Sequence, residues 1–307
     1  MSTYNDSTFV SYSVKSILNQ TFKDFEFLII DDGSSDNTDE ILSKFNDSRI
    51  VYKKISHTGL AGALNFGLQN STGDWIARID ADDLNDSNRL KTQLDFHNTN
   101  PQYDVIGSWS AYFNLKNQIQ FILRPPAEDK EIKTFLNLHN PLNHSSVFFS
   151  KDKILSEGGY DESYESYEDF ELWFRLKNKL KFKIMPEVLV YTLQRKDSLT
   201  KISGKNKIYG FLYSNASENL NKAKSAGDKR FWNNILFWIE YFYGLKSESR
   251  KYYTKDITFR KSLAYINTFL SENTFEKIVD LRLRYRMQTK LTDKEKYKKE
   301  LEKLISL

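Results

Sequence analysis

The sequence contains no cysteine, and only 12 glycines and 5 prolines in 307 residues. The absence of cysteine excludes disulfide scaffolds, thiolate metal sites, iron–sulfur clusters and cysteine nucleophiles. The low glycine and proline content excludes collagen-like and low-complexity chains. No apolar run reaches the ~18 residues that a membrane-spanning helix needs, and the first residues show no signal-peptide pattern. These absences predict a cytoplasmic protein that is soluble or bound only peripherally to a membrane.

The residues that are present predict a folded chain with an uneven charge. Hydrophobic residues make up 39% of the sequence, charged residues 28% and aromatic residues 15%, which is enough to build a packed core. Residues 1–204 hold 23 Lys and Arg against 29 Asp and Glu, whereas residues 205–307 hold 22 against 12. A basic C-terminal region is typical of contact with an anionic membrane surface or of a solvated helical face. No nucleic-acid-binding motif accompanies it, so we expect no nucleic-acid partner.

Short apolar runs alternate with helical patterns over the first two thirds of the chain, which predicts an α/β fold. We predict strands at residues 25–30, 49–54, 75–79, 104–107 and 187–190, and helices at 38–45, 60–70 and 88–98. From about residue 206 the pattern is wholly helical. We therefore place a domain boundary near residue 204.

Two acidic clusters follow predicted strands, at the edge of a parallel sheet where ligands bind. The pair Asp80-Ala81-Asp82 could hold a hard divalent cation, or it could be a polar loop that caps a helix. An Asp-x-Asp after a strand also occurs in haloacid-dehalogenase-type phosphatases. That class expects Thr or Val two residues after the second Asp, where this chain has Leu84. The cluster Asp31 to Asp36 is either a turn with a helix cap or a carboxylate site for a base ring.

A third acidic pair, Glu168-Asp169, precedes Phe170, Trp173 and Phe174 in a helical pattern. A carboxylate at this place could act as a general base. It could equally be an acid that only stabilises the helix N-terminus.

Together, the order and spacing of these clusters resemble family 2 glycosyltransferases, which are inverting nucleotide-sugar enzymes of the GT-A fold. The resemblance covers roughly residues 1–204. The sequence is most similar to the bacterial members of the family that build capsule, exopolysaccharide or lipopolysaccharide. The matching blocks are Ser2-Thr3-Tyr4-Asn5, Ser16 to Phe22, Ile29 to Asp36, Gly59 to Asn65, Ile79 to Asp83, Arg89-Leu90, Asn140-Pro141, His144 to Val147, Gly158 to Asp161 and Glu168-Asp169.

The resemblance implies a GT-A, Rossmann-like, mostly parallel sheet flanked by helices in residues 1–204, and an all-helical region in residues 205–307. It implies roles for individual residues as well. Those implied to bind the nucleotide are Ser2, Tyr4, Asn5, Asp32, Gly59 and Asp80. Those implied to hold Mn²⁺ or Mg²⁺ are Asp82 and Asp80, while Asp169 would be the base and His144 and Glu168 would contact substrate.

The implied reaction moves a sugar from a UDP-sugar donor to a hydroxyl of a surface polysaccharide or lipid-linked glycan, with inversion. The implied location is the cytoplasm, including the inner face of the plasma membrane. One alternative is a non-catalytic nucleotide-sugar-binding or assembly protein. A second is a sugar-phosphate nucleotidyltransferase, whose Gly-rich loop and N-terminal Arg-Leu are not found here.

Two departures from the family pattern are visible. The family places an apolar strand ahead of the Ser2 block, so we expect that strand to belong to residues upstream of Met1. After the predicted strand 187–190, many relatives carry Tyr-Arg-x-His, where this chain has Tyr191 to Arg195. Either Arg195 or Lys196 is then the candidate for contacting phosphate.

The C-terminal region combines an apolar-aromatic segment with nearby basic residues. The aromatic segment spans residues 231–243, and the basic residues are Arg282, Arg284, Arg286 and Lys290. This pattern suits an interfacial helix of an enzyme with a lipid-linked acceptor. It also suits a helical subdomain that packs its aromatic side chains internally.

Overall fold

The computed structural model describes residues 1–164, 166–195, 205–242, 248–252 and 291–307. The chain divides into two compact units. The first comprises residues 1–136, 140–201 and 287–307, and the second comprises residues 137–139 and 202–286.

The first unit alternates strands with helices along the chain, as the sequence pattern predicts. Its strands are β1 (Ser2–Thr3), β2 (Phe27–Asp31), β3 (Ile50–Lys54), β4 (Trp75–Ala77), β5 (Leu84–Asn85), β6 (Val105–Phe113), β7 (Ile119–Leu123), β8 (Phe148–Ser150) and β9 (Phe182–Leu193). Its helices are α1 (Val10–Leu18), α2 (Thr38–Leu42), α3 (Gly59–Asn70), α4 (Arg89–Thr99), α5 (Asp129–Phe135), α6 (Lys151–Leu155) and α7 (Glu168–Leu176), with a 3-10 turn at His144–Ser146. The α/β fold class is confirmed.

A parallel three-stranded sheet has the order β1-β2-β3. Every residue of β2 is buried, because α1 packs on one face and α3 on the other. This burial explains the continuous apolar run of β2, which is typical of a parallel strand covered on both faces.

A second, mixed sheet has the order β4-β8-β6-β9-β5, with β7 beside β6. Within it β6 and β9 are parallel, whereas the pairings of β8 with β4 and β6, of β5 with β9 and of β7 with β6 are antiparallel. The parallel pairing expected from the βα alternation is therefore found in the first sheet and between β6 and β9. The short antiparallel strands carry too few residues for a clear sequence pattern.

The final helix of the chain, α10 (Leu291–Ile305), belongs to the first unit. Leu301 and Leu304 pack in one apolar cluster with Phe113 and Ile122 of the second sheet. Arg124 also pairs with Asp293 at 2.6 Å. The last turns of this helix are thus part of the core beside the second sheet.

A cavity of about 470 Å³ lies between β2 and β4, with Phe27, Leu28, Trp75 and Ala77 on its walls. The strand β1 reaches only one end of this cavity. There the ammonium group of Met1 donates a hydrogen bond to the carbonyl of Leu28 at 2.9 Å. Burial lowers the pKa of this ammonium to about 5. Among the described strands β4 pairs with β8 alone, so its other backbone edge faces the cavity.

An extended apolar segment fused ahead of Met1 is expected to fill this cavity and raise the melting temperature. Four or five residues rich in Val and Ile would pair with β2 and β4 and bury their side chains. We expect an increase of about 5 °C or more, measured by thermal unfolding. A Gly-Ser extension of equal length is the control, because it offers the same backbone without apolar side chains. Equal melting temperatures for both extensions would contradict this expectation.

The second unit is described in residues 137–139, 205–242 and 248–252, and it is helical in the last two of these ranges. Its elements are α8 (Lys205–Lys222), α9 (Ala226–Phe242) and a 3-10 turn at Glu248–Tyr252. Buried Glu240 accepts a hydrogen bond from the Tyr209 hydroxyl at 2.9 Å, which links α9 to α8. None of the helices in the described part of the chain is long and apolar enough to cross a membrane. The basic residues Arg282, Arg284, Arg286 and Lys290 lie outside the described residues.

Candidate functional site

The predicted site residues come together where β1, β2, β4 and β9 end and where α7 begins. Ser2 forms a parallel bridge with Asp80, and the amide of Asp32 donates to the carbonyl of Thr3 at 2.9 Å. The amide of Asp80 donates to the Ser145 hydroxyl at 2.8 Å. These contacts of backbone groups join the segments around residues 2, 32, 80 and 145, which lie far apart in the sequence.

Asp32 is buried, and its carboxylate already accepts hydrogen bonds from the segment that begins α3. The donors are the amide and hydroxyl of Thr58 at 2.7 and 3.1 Å and the amide of Gly59 at 3.0 Å. His57 Nδ1 lies 2.8 Å from the other side of this carboxylate. Asp32 thus fixes the N-terminal end of α3, and any ligand contact must share its oxygens with these donors.

Tyr4 forms an exposed aromatic surface beside this carboxylate. Its ring is 46% exposed and stacks on the His57 ring at a centroid distance of 4.3 Å. The neighbouring Asn5 has a positive φ of 54°, and its Oδ1 accepts from the amide of Ser35 at 2.8 Å. The predicted residues Tyr4 and Asn5 therefore line one rim, and a planar base can stack on an exposed ring of this kind.

The two carboxylates of the Asp80-Ala81-Asp82 motif have different surroundings. Asp80 contacts Arg78 Nη2 at 2.5 Å and accepts from the Ser145 hydroxyl at 3.0 Å, so both of its oxygens have partners. Asp82 contacts Arg195 Nε at 3.1 Å. Burial, followed by the charge of Asp80, raises the pKa of Asp82 to about 7.

Asp83, the next residue, ties this loop to the end of β9. It is buried, and its carboxylate accepts from the amide of Leu193 at 2.9 Å and from the Thr192 hydroxyl at 3.2 Å. Arg195 lies two residues after Leu193, so Asp83 anchors the end of the strand that leads to Arg195. Arg195 also lies 3.4 Å from Asp6. Of the two candidates for phosphate contact, Arg195 is in the site and Lys196 lies outside the described residues.

The residues fit a divalent cation that is carried by a substrate, but they do not form a preassembled cage. Among the described residues, no cluster of three or more acidic or histidine side chains could hold a metal ion. Asp82 supplies a hard oxygen donor, whereas the oxygens of Asp80 are engaged. Mg²⁺ and related ions commonly bind through one or two carboxylates plus substrate phosphates.

At the start of α7, Glu168 is buried and Asp169 is partly buried. Asn140 Nδ2 donates to Asp169 Oδ2 at 2.8 Å, and the amide of Phe170 donates to its Oδ1 at 2.7 Å. Burial raises the pKa of Asp169 to about 6. Burial and the neighbouring Asp169 raise the pKa of Glu168 to about 8.

His144 lies inside this site as a buried, neutral side chain. Its Nε2 is 2.8 Å from the Tyr160 hydroxyl, and its Nδ1 is 3.7 Å from Glu168 Oε1. Burial lowers its pKa well below the usual range. The structure therefore places His144 next to Glu168, with its hydrogen bond to Tyr160.

The loop before α7 is tied to α3 at a glycine. Gly159 has φ of 71°, and a Cβ there would lie 2.6 Å from Asn65 Oδ1. The same Asn65 oxygen accepts from the amide of Tyr160 at 2.9 Å, and its Nδ2 donates to the Tyr160 carbonyl at 2.9 Å. A side chain at residue 159 would break this contact, which explains why the loop requires glycine.

The sequence did not single out three residues that the structure brings into the site: Asp6, His57 and Arg78. A signal existed for Arg78, since a cation that directly follows a strand and stands two residues before a carboxylate can pair with that carboxylate. His57 and Asp6 carry no such local signal, because their partners are distant in sequence.

Comparisons with known proteins agree with this fold. The model of glycosyl transferase family 2 matches residues 1–159. An uncharacterised glycosyltransferase of Methanocaldococcus jannaschii is 31% identical over 80% of this chain and 84% of its own length. An Escherichia coli UDP-Gal:alpha-D-GlcNAc-diphosphoundecaprenol beta-1,3-galactosyltransferase is 34% identical over 54% of this chain and 62% of that enzyme.

Two solved structures share the fold at low sequence identity. Staphylococcus aureus TarS 1–349 in complex with UDP-GlcNAc has a TM-score of 0.60 at 17% identity, covering 87% of this chain and 77% of that one. The mannosyltransferase PcManGT of Pyrobaculum calidifontis, in complex with GDP-Man and Mn²⁺, has a TM-score of 0.55 at 13% identity, covering 99% and 83%. The fold and the family match together define a glycosyltransferase. The chain belongs to glycosyl transferase family 2.

Proposed function

We propose that this glycosyltransferase moves a sugar, with inversion, from a UDP-sugar to a hydroxyl of a growing polysaccharide or lipid-linked glycan. Asp169 is the base in this proposal. The observation that carries it is a carboxylate at the N-terminal end of α7, fixed by Asn140 and the Phe170 amide, with a pKa raised by burial to about 6. Such a group is ionised at neutral pH and still basic enough to accept a proton.

In the proposed step the acceptor hydroxyl attacks the anomeric carbon from the face opposite the diphosphate. The new carbon–oxygen bond forms as the bond from the anomeric carbon to the phosphate oxygen breaks, and the hydroxyl proton passes to Asp169. The nucleoside diphosphate leaves with the bonding electron pair. A single displacement of this kind inverts the anomeric centre and needs one base.

The donor half of the site is proposed from the residues that the sequence singled out. Ser2, Tyr4, Asn5, Asp32, Gly59 and Asp80 would form the nucleotide-binding surface. Tyr4 supports this role through its exposed ring, and Asp32 through its place beside that ring. The complex of TarS with UDP-GlcNAc supports uracil as the base.

A divalent cation, Mn²⁺ or Mg²⁺, is the proposed cofactor, with Asp82 as its main protein ligand and Asp80 beside it. When bound, the cation supplies positive charge to the leaving diphosphate. The Mn²⁺ in the PcManGT complex supports this assignment. Arg195 balances the charge of Asp82 in the free protein and is placed to donate to a phosphate.

A lipid-linked acceptor at the cytoplasmic face of the membrane is the proposed partner. The diphosphoundecaprenol acceptor in the name of the Escherichia coli relative supports it. The positive balance of residues 205–307 supports peripheral contact with an anionic membrane surface. Glu168 and His144, which lie next to each other, are proposed on the substrate side.

The proposal is tested by measuring UDP release from a panel of UDP-sugars with Mn²⁺, with and without GlcNAc-diphosphoundecaprenol. We expect release that needs the cation and increases with acceptor, and a product whose anomeric configuration, determined by NMR, is opposite to that of the donor. GDP-mannose serves as the mismatched donor. UDP binding without turnover of any donor would favour a non-catalytic binding protein. Failure to bind UDP would contradict the donor assignment.

A further inference from the structure

Asn140-Pro141 is a block of the family pattern to which the proposed reaction assigns no step of its own. Asn140 is half-buried and lies in the segment that leads into the 3-10 turn at His144–Ser146. A residue that precedes proline is disfavoured in the helical region, so its backbone is restricted to extended conformations. The backbone of Asn140 is therefore limited to few conformations before any contact of its side chain forms.

Two hydrogen bonds orient the side-chain amide of Asn140. Its Nδ2 donates to Asp169 Oδ2 at 2.8 Å, and its Oδ1 accepts from the amide of Leu142 at 3.0 Å. A backbone N–H can only donate, so the oxygen of Asn140 must face Leu142, which leaves the NH₂ group toward Asp169. Because Leu142 is buried, this anchor is part of the folded core. Asn140 is thus held as a donor to the Asp169 carboxylate.

The second donor to Asp169 comes from its own helix. The amide of Phe170 donates to Oδ1 at 2.7 Å, so each carboxylate oxygen accepts one bond and keeps a further lone pair. Tyr167, which precedes α7, has a positive φ of 66° and does not cap the helix with its side chain. Within the described part of the chain, Asn140 is the side chain that reaches Asp169 from outside α7 with a hydrogen bond.

Charged and titratable groups surround Asp169 on several elements. They are Arg78 and Asp80 after β4, Tyr112 on β6, Tyr160 after α6, and Tyr167 and Glu168 where α7 begins. Burial raises the pKa of Asp169, while the charge of Arg78 lowers it and that of Asp80 raises it. These charges act at a distance, whereas a hydrogen bond is directional and determines where one carboxylate oxygen lies.

We propose that Asn140 is a positioning residue for sugar transfer, which holds the Asp169 carboxylate in one orientation for the acceptor hydroxyl. The inference rests on the proposed function, because that function makes Asp169 the base. Without Asn140 the carboxylate would keep only the Phe170 amide as a fixed donor and could rotate away from the acceptor. It would also lose a donor that favours its ionised form.

The first test replaces the donor and does not depend on turnover. Asn140→Asp keeps the shape of the side chain and an oxygen for the Leu142 amide, but it places a second carboxylate against Asp169. Two carboxylates at hydrogen-bond distance share a proton and titrate as a pair in two steps. Carbon-13 NMR of the carboxyl groups, assigned with Asp169→Asn, should give an upper midpoint about two units or more above that of Asp169 in the original protein.

Asn70→Asp is the matched control, because it adds the same charge at the exposed last residue of α3. It should leave the midpoint of Asp169 in place. If the carboxyl groups at residues 140 and 169 titrate independently in folded Asn140→Asp, the side chain does not hold Asp169 and the proposal is overturned.

The second test separates positioning from a structural role by kinetics. Asn140→Ala is expected to lower kcat about 10- to 100-fold, because a displaced base meets the acceptor hydroxyl less often in a reactive geometry. Calorimetric UDP binding should be unchanged, and the acidic limb of the pH profile should move up by about one unit. A purely structural residue would lower the melting temperature and leave kcat and the pH profile of the folded protein unchanged. If Asn140→Ala does not fold, Asn140→Asp supplies the comparison, since it keeps the contact with Leu142.

The two tests distinguish failure of this inference from failure of the proposed function. Turnover in the original protein, with kcat and pH profile retained in a folded Asn140 variant, would overturn the role of Asn140. Absence of turnover in the original protein would instead overturn the proposed function. The titration of Asn140→Asp would then still decide whether Asn140 holds the Asp169 carboxylate.

Discussion

Asp169→Asn is expected to lower kcat about 10³-fold while UDP binding is retained. The substitution keeps the shape of the side chain, and the amide oxygen can still accept from the Phe170 amide, but the side chain cannot accept the acceptor proton. The acidic limb of the pH profile should disappear with it, because that limb reports ionisation of Asp169 through a pKa of about 6. Turnover and calorimetric UDP binding measure the two halves of this expectation.

The same variant should melt no lower than the original protein at neutral pH. The pKa of Asp169 is raised by folding, so its ionised form is less stable in the folded state than in the unfolded chain, and stability falls as pH rises toward that pKa. Glu171→Gln, on the same helix, is the control for charge removal and should retain turnover. Near-normal kcat in Asp169→Asn would exclude this residue as the base.

Asp82→Ala is expected to abolish the part of UDP binding that depends on Mn²⁺. Removing the carboxylate takes away the main protein ligand for the cation and leaves Arg195 without this partner. We expect the affinity for UDP with Mn²⁺ to fall about 100-fold, toward the affinity measured without metal. Calorimetry of UDP with Mn²⁺ and with a chelator gives both values.

Asp95→Ala is the control for this experiment, because Asp95 is an exposed carboxylate on α4 that pairs with Lys91. It should bind UDP and Mn²⁺ as the original protein does. If Asp82→Ala retains the full metal effect, the cation is held elsewhere and the assignment of Asp82 is wrong.

The fold class and the α/β alternation could be predicted from the sequence because buried parallel strands carry continuous apolar runs. Residues 27–31 of β2 are an example, since both faces are covered and every side chain is apolar until Asp31. The strand β6 extends six residues beyond the predicted run, through Phe113, because Ser108 and Ser110 lie buried within it. Because these polar residues interrupt the apolar run, a prediction based on apolar residues ends the strand too early.

The site could be predicted to the level of its carboxylates, whose spacing and order carry the family signal. Their individual surroundings could not be predicted, because these depend on residues brought from distant parts of the chain. Asp80 and Asp82 are equivalent in the motif, yet Asp80 is engaged by Arg78 and Ser145 whereas Asp82 faces Arg195. Roles that differ between neighbouring carboxylates require the three-dimensional contacts.

The return of α10 to the first unit makes residues 202–286 an insertion within the catalytic domain rather than a C-terminal appendage. Leu301 and Leu304 bury their side chains beside the second sheet, so the chain must re-enter the domain to complete its core. A protein truncated after residue 286 would thus lose a structural helix of the catalytic domain together with its C-terminus.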